Sequence, residues 1–200
     1  MHTRSTLGCL RSVALFFAAA FALTWTLQLP AVLAQRAVLE IAPEPLMPLV
    51  VVGVFGPALA AMLVRAREAG RAGMRELFRP LRAFRADPRW YVVALVHPGL
   101  LLALGMAAWL ALGGEGSLVY LPDPPARIVA AILIALGEEV GWRGFALPRL
   151  TKLVGPIGAS LVIGPLWALW HVPMFLGASV PLSLLPVMIV FFSAGSVVMT

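Results

Sequence analysis

The sequence is short of charge. Only 12% of its 200 residues are charged and nine are acidic, whereas 61% are hydrophobic, and the mean hydropathy is +0.95. A soluble domain averages about 25% charged and about 45–50% apolar residues. The shortage of charge therefore excludes an ordinary soluble domain and predicts an all-α, polytopic bundle of transmembrane helices.

Cysteine and lysine are also scarce. Cys9 is the only cysteine, which excludes an internal disulfide, and it precedes the first apolar run, which argues against a lipoprotein signal. All 15 basic residues except Lys152 are arginines, and the net charge is +6. A basic protein can bind nucleic acid, but these charges fall in short segments between apolar runs. We therefore expect membrane lipids, and not nucleic acid, as partners.

Six apolar runs predict six spanning helices. They cover residues 12–34, 46–64, 90–112, 126–144, 156–176 and 181–200. The first run resembles a signal peptide in its basic start and in the small residue, Ala34, at its end. At about 20 residues, however, it is longer than the usual signal-peptide core of about 7–15 residues. We therefore favour a retained helix.

A basic segment of eight arginines lies between the second and third runs, at residues 65–89. Apolar residues at helical spacing predict a basic helix on the lipid surface, kinked at Pro80. A plain connector is the alternative. The arginine bias places the N-terminus, residues 65–89 and residues 143–152 on one side of the membrane. The positive-inside rule predicts that this side is cytoplasmic in a multi-pass protein of the cell membrane.

Two adjacent carboxylates stand at the end of the fourth run. Arg143 follows Glu139 by four residues, so the two share a helix face and are expected to form an ion pair. Glu138 lies about 100° round the helix from Glu139, so one arginine cannot serve both acids equally. An acid without its own arginine, at the edge of an apolar segment, suits general acid or base catalysis.

His171, in the fifth run, is the natural partner of Glu138, and Trp167 precedes it by one helical turn. Residue spacing leaves the depth of His171 open. In a continuous helix it would lie about 28 Å beyond Lys152, but it is only about 9 Å beyond Pro165. A tryptophan–histidine pair beside a proline is more often structural than functional, so this partnership is a hypothesis at this point.

The metal question also stays open on the sequence. There is no HExxH motif and no Cys/His cluster at ligand spacing. Glu138 and His171 could be two ligands of a divalent metal such as zinc, with Glu139 as a third. Metal-free activation of water by Glu138 is the other possibility. His97, inside the third run, is a weaker candidate site residue and is more simply a satisfied polar group.

The two segments together resemble a known family. Glu138-Glu139-Val-Gly-Trp-Arg143 is similar to the EExxxR motif of the CAAX protease and bacteriocin-processing (CPBP, or Abi) family, which includes the type II CAAX prenyl endopeptidases. Trp167-Ala-Leu-Trp-His171 resembles the family's FxxxH motif, with Trp in the Phe position. The resemblance covers roughly residues 125–200. It implies an intramembrane endopeptidase, usually described as a metalloprotease, although a metal-independent glutamate mechanism is also argued for the family.

By this resemblance, Glu138 and His171 would activate the attacking water, while Glu139 and Arg143 would orient or support the site. The family also has a third motif, a later histidine with Asn or Asp four residues on, which is thought to stabilise the oxyanion. No histidine follows His171 in this chain. Loss of one oxyanion donor can cost about 10²–10³ in rate. We expect the sequence to be C-terminally truncated and inactive by itself, or to be a member without that motif.

Three functions follow from these residues. The favoured one is an endopeptidase that cuts a membrane-associated protein or peptide. The second is a non-enzymatic bacteriocin-immunity or scaffold protein, in which Glu139 and Arg143 form a structural ion pair. The third and weakest is a proton or ion carrier with Glu138 as its titrating group. The residues do not identify the substrate, a prenyl group on it, or the oligomeric state.

Overall fold

The computed structural model describes residues 2–82, 87–89, 91–92, 96, 100, 107, 110–111 and 124–200. Every element in this part of the chain is helical, which confirms the all-α prediction. The chain divides into two compact units, one of residues 1–78 with 131–200 and the other of residues 79–130. His97 and most of the predicted third span lie outside the described residues.

Seven α-helices are labelled here in chain order. They are α1 His2–Gln35, α2 Met47–Val54, α3 Gly56–Phe78, α4 Pro124–Gly141, α5 Leu147–Trp170, α6 Val172–Gly177 and α7 Leu185–Val198. A π-helical turn, Trp142–Ala146, joins α4 to α5. Short 3-10 turns cover Glu44–Leu46, Pro80–Arg82 and Leu182–Leu184.

Among the described residues, two or three segments are long enough to cross a membrane. Thr6–Gln35 and Ile132–Gly177 are each long and apolar enough to cross a membrane, and the bent pair of α2 and α3 makes a third if it counts as one span. The structure thus supports a membrane protein, whereas six separate spans are not established by the described residues. The predicted sixth span, 181–200, contains only a shorter apolar helix, Leu182–Val198.

The first predicted span is present, and its helix is central to the first unit. Residues 12–34 lie within α1, which packs against α2, α3, α5 and α6. Phe16 and Ala20 are fully buried in the core, and Thr24 is a fully buried polar residue further along the same helix. Helix α1 therefore contacts α5 and α6, the two helices that flank His171.

The second predicted span is broken. Helices α2 and α3 meet at Phe55 with a bend of 47°. Pro57 has no N–H to donate to the Gly53 carbonyl, so the regular hydrogen bond is missing at that point. The Thr24 hydroxyl donates to the Gly53 carbonyl instead, at 2.8 Å. Helix α1 thus satisfies a backbone group that the proline releases.

The basic segment differs from the prediction in the position of its bend. Its described part up to Phe78 lies within α3, where a kink separates it from the second span. The break falls at Ala69 and Gly70, where the backbone is non-helical, and not at Pro80. Leu77 is buried in the protein core, with Phe78 packed against it. At these two residues the apolar side chains pack against the protein and not against lipid, so the prediction of a lipid-facing stripe is wrong for them.

The fourth and fifth spans were predicted with a loop between them, and that loop is largely helical. After α4 the chain continues through the π-helical turn into α5, and the break comes at Gly155, whose φ of +75° favours glycine. Pro156 restarts the helix. The fifth span is then broken again at His171, which separates α5 from α6.

One end of the first unit joins the three basic regions. Arg149, near the start of α5, forms an ion pair of 2.9 Å with Glu68 on α3. The Cys9 thiol on α1 lies 3.8 Å from the Arg149 carbonyl oxygen. Glu68 also pairs with Arg65 at 2.7 Å, and Arg65 pairs with Glu76. The three segments that the charge bias placed on one side are therefore neighbours in the fold.

Candidate active site

The two adjacent acids are positioned by a close approach between helices. Gly137 and Gly141 of α4 face the break between α2 and α3. A Cβ at Gly141 would lie 2.5 Å from the Pro57 Cβ, and one at Gly137 would lie 3.1 Å from the Val54 carbonyl oxygen. Only glycine allows this contact. It brings the backbone around the acids against the bent α2–α3 segment.

Glu139 and Arg143 form the ion pair that their spacing predicts. The Arg143 Nη1 lies 2.9 Å from the Glu139 Oε1, with side chains 13% and 39% exposed for Arg143 and Glu139 respectively. The Arg143 guanidinium also lies over the Trp167 ring, 4.4 Å from its centroid, which is a cation–π distance. Arg143 thus joins Glu139 to α5. It lies within the π-helical turn, a feature that often occurs at functional sites.

Glu138 is the more buried of the two acids, at 8% exposure. Its Oε2 accepts a hydrogen bond of 2.7 Å from the indole Nε1 of Trp167. The Trp142 indole lies near the same carboxylate. Its buried Nε1 has no hydrogen-bond partner among the described residues. The described residues give Glu138 no ion pair, so its carboxylate is held by an indole donor and is not neutralised by a contacting arginine.

His171 has a defined orientation. Its Nδ1 lies 2.8 Å from the Trp167 carbonyl oxygen. That carbonyl accepts only, so Nδ1 carries the proton and Nε2 is left as the basic nitrogen. The backbone N–H of His171 bonds to Ala168 instead, which leaves the Trp167 carbonyl for the ring. The Phe175 and Phe192 rings pack on the imidazole, with centroids at 5.8 and 4.6 Å.

Trp167 connects the candidate site residues. Its side chain donates to Glu138 and lies under Arg143, and its carbonyl orients His171. The break at Gly155 explains how α5 reaches back to α4. Glu138 precedes Gly155 by 17 residues, and His171 follows it by 16, so helices of similar length lead to both. The structure therefore brings Glu138 and His171 into contact with the same tryptophan, one through its indole and the other through its carbonyl.

Sequence reasoning missed a buried polar network on α1. Thr24 accepts a hydrogen bond of 2.8 Å from the Trp170 indole, and Trp25 donates one of 3.2 Å to the Trp170 carbonyl. These contacts hold Trp170, which precedes His171 and is the last residue of α5. Polar Thr24 and Gln28, four residues apart in an apolar run, were a readable signal of a buried polar face.

The described residues do not form a metal site. No group of three or more His, Cys, Asp and Glu side chains in this part of the chain could hold a metal ion. Catalytic zinc uses three protein ligands and a water, so Glu138 and His171 alone do not fit it.

Comparison with known proteins points to the same family as the motifs. Residues 121–200 match the family model described as type II CAAX prenyl endopeptidase Rce1-like. A curated relative, CAAX prenyl protease 2 of Methanococcus maripaludis, is 31% identical over 90 residues, which cover 42% of this chain and 33% of the relative. The chain thus spans about a third of the length of the curated relative it matches. No solved structure matches it significantly.

The matched region contains Glu138, Glu139, Arg143 and His171. These are the residues that the EExxxR and FxxxH patterns singled out, and the fold brings them together around Trp167. Over residues 121–200, the chain is therefore similar to the Rce1-like type II CAAX prenyl endopeptidases.

Proposed function

We propose that this protein is an intramembrane endopeptidase that hydrolyses a peptide bond in a membrane-associated protein or peptide. The observation that carries the proposal is that a buried carboxylate, without an ion pair among the described residues, and an imidazole are both hydrogen-bonded to Trp167. The family match supports a protease and does not favour a non-enzymatic immunity or scaffold protein.

The proposed chemistry uses Glu138 as general base. Glu138 accepts a proton from a water molecule while the water oxygen attacks the peptide carbonyl carbon. Nε2 of His171 accepts a second hydrogen bond from that water and directs its lone pair. As the carbon–nitrogen bond breaks, the proton held by Glu138 passes to the leaving amine, so the products are a carboxylic acid, which keeps the second proton of the water, and a free amine. General acid–base catalysis of this kind contributes about 10²–10⁴ in rate.

Glu139 and Arg143 support this pair in the proposed mechanism. Their ion pair keeps Arg143 over Trp167 and away from the Glu138 carboxylate. The substrate class is proposed by analogy with the relative, whose name describes a CAAX prenyl protease. A prenylated peptide with a CAAX terminus is therefore the first substrate to try. An unmodified membrane-anchored peptide is the comparison.

The test is peptide cleavage in proteoliposomes, with protein expressed from its complete reading frame. Glu138→Gln keeps the shape and the Trp167 contact but removes the base. We expect it to lower kcat by at least about 10³ with an unchanged thermal midpoint. Glu40→Gln, the same change in an exposed loop, should cleave like wild type. Full cleavage by Glu138→Gln would overturn the proposal.

We also propose that the N-terminus, residues 65–89 and residues 143–152 face the cytoplasm of a multi-pass protein. The contacts among Cys9, Glu68 and Arg149 support a shared side. Cys9 is the only cysteine, so a membrane-impermeant maleimide should label it in inverted vesicles and not in intact cells. Val38→Cys in a Cys9→Ser background should show the reverse. Labelling of Cys9 in intact cells would contradict this orientation.

A further inference from the structure

The family pattern has phenylalanine at the first position of FxxxH, and this chain has Trp167 there. A phenylalanine ring can line a site but cannot donate a hydrogen bond, whereas the indole of tryptophan carries one N–H donor. In this structure the donor is used, because Trp167 Nε1 lies 2.7 Å from Glu138 Oε2. The substitution therefore adds a specific contact to the proposed general base.

We propose that Trp167 is a positioning residue that fixes Glu138 for catalysis. This inference depends on the proposed endopeptidase function. The indole donates to one carboxylate oxygen, Oε2, and in the proposed reaction the water donates to the other oxygen, Oε1. A hydrogen bond from a neutral donor to a carboxylate is charge-assisted and directional. It orients the base without the neutralisation that an arginine would bring.

The surroundings of Trp167 fix the position of its ring. Arg143 lies over one face at 4.4 Å, and Phe192 packs edge-on at 4.6 Å. The Trp167 carbonyl meanwhile holds Nδ1 of His171 at 2.8 Å. One residue therefore sets the geometry of both proposed catalytic groups, through its side chain for Glu138 and through its backbone for His171. Only the side-chain contact depends on the identity of the residue.

This separation makes Trp167→Phe an informative variant. It restores the family's own residue, retains an aromatic face for Arg143, and leaves the backbone carbonyl that orients His171. It removes only the N–H donor and part of the ring. Because a small displacement of a catalytic group can cost about 10²-fold, we expect kcat to fall by about 10- to 100-fold. KM should stay within about twofold, because the contact is to the base and not to a bound peptide.

The matched control is Trp25→Phe. It also removes an indole N–H that is hydrogen-bonded between α1 and α5, at 3.2 Å, but Trp25 has no described contact with Glu138. Both variants are compared by kcat, KM and thermal midpoint in proteoliposomes with the cleavable peptide. We expect similar midpoints for the two variants and a much lower kcat for Trp167→Phe.

A second replacement guards against misfolding. Benzothienylalanine at position 167 has the shape of tryptophan with sulfur in place of N–H, and it should lower kcat like Trp167→Phe. If either replacement folds and retains the wild-type kcat, the proposal is overturned. It is also overturned if Trp167→Phe and Trp25→Phe lose kcat equally. Wild-type protein that cleaves no peptide would instead refute the proposed function, and that result is distinct from either outcome.

Discussion

Glu68 and Glu138 are carboxylates of the same helical unit, but they are held in different ways. Glu68 accepts contacts from two arginines, Arg65 at 2.7 Å and Arg149 at 2.9 Å. Glu138 accepts a hydrogen bond from the Trp167 indole at 2.7 Å, and the described residues give it no ion pair. Arginines neutralise the first acid, and the pair with Arg149 joins α3 to α5. The indole orients the second acid and leaves its charge available for chemistry.

The same contrast applies to the neighbouring acids Glu138 and Glu139. The i,i+4 spacing gives Arg143 to Glu139, and Glu138 lies on another part of the helix surface. The two adjacent acids thus have different surroundings: Glu139 is paired with an arginine, and Glu138 keeps a carboxylate that is free for proton transfer. Variants of the two acids and of their partners test this separation.

The largest loss of kcat is expected for a change at His171, the proposed partner of Glu138. His171→Gln removes the basic nitrogen that the water would use, so we expect kcat to fall by about 10²–10⁴. The glutamine amide can still donate to the Trp167 carbonyl, so the thermal midpoint should change little. His2→Gln, in the N-terminal segment, is the control. Unchanged kcat for His171→Gln would remove the imidazole from the mechanism.

Arg143→Gln should mainly reduce stability. It leaves Glu139 without its partner and removes the cation over Trp167. Breaking a fully buried pair costs about 3–5 kcal/mol, but Glu139 is 39% exposed and solvent screening reduces the cost. We expect the free energy of unfolding to fall by about 1–2 kcal/mol, measured by denaturant titration in detergent. A double-mutant cycle with Glu139→Gln should show coupling, and strict additivity would argue against the pair.

Glu68→Gln should have a smaller effect, confined to stability. The pairs with Arg65 and Arg149 lie near the surface, so we expect a loss of about 1 kcal/mol or less in the free energy of unfolding. Cleavage should be unchanged. Salt near 1 M reduces the screening length to about 3 Å, so the difference from wild type should shrink there. A large loss of kcat would show that this end of the unit takes part in catalysis.

Metal removal should have no effect on the proposed reaction. The described residues provide no set of three ligands, and the proposed base is the Glu138 carboxylate. Dialysis of the purified protein against a strong chelator should therefore leave kcat unchanged, as should added zinc at equimolar concentration. Loss of cleavage on chelation, with recovery on adding zinc, would contradict the metal-free mechanism.

The sequence predicts those parts of the site that depend on local spacing. The Glu139–Arg143 pair follows from helix periodicity alone, and the first span follows from its long apolar run. The position of His171 relative to Glu138 cannot be predicted from spacing, because it depends on where α5 is broken. The sequence contains three Gly-Pro dipeptides, at 56–57, 155–156 and 164–165.

Only two of these dipeptides mark breaks. Helix α2 ends before Gly56, and Gly155 has a positive φ, whereas Gly164 stays helical. Gly164 serves close packing instead, since a Cβ there would lie 2.4 Å from the Cα of Ser193 on α7. The same Gly-Pro dipeptide therefore has different structural roles, which depend on packing against helices that are distant in the sequence. Spacing within one segment cannot separate those roles.

The most direct test compares kcat for Glu138→Gln and Glu139→Gln in one proteoliposome preparation. We expect Glu138→Gln to lose at least about 10³ in kcat with a wild-type thermal midpoint, and Glu139→Gln to lose at most about tenfold with a lowered midpoint. Equal losses in kcat for the two variants, or a reversed order, would contradict the division of roles between the adjacent acids.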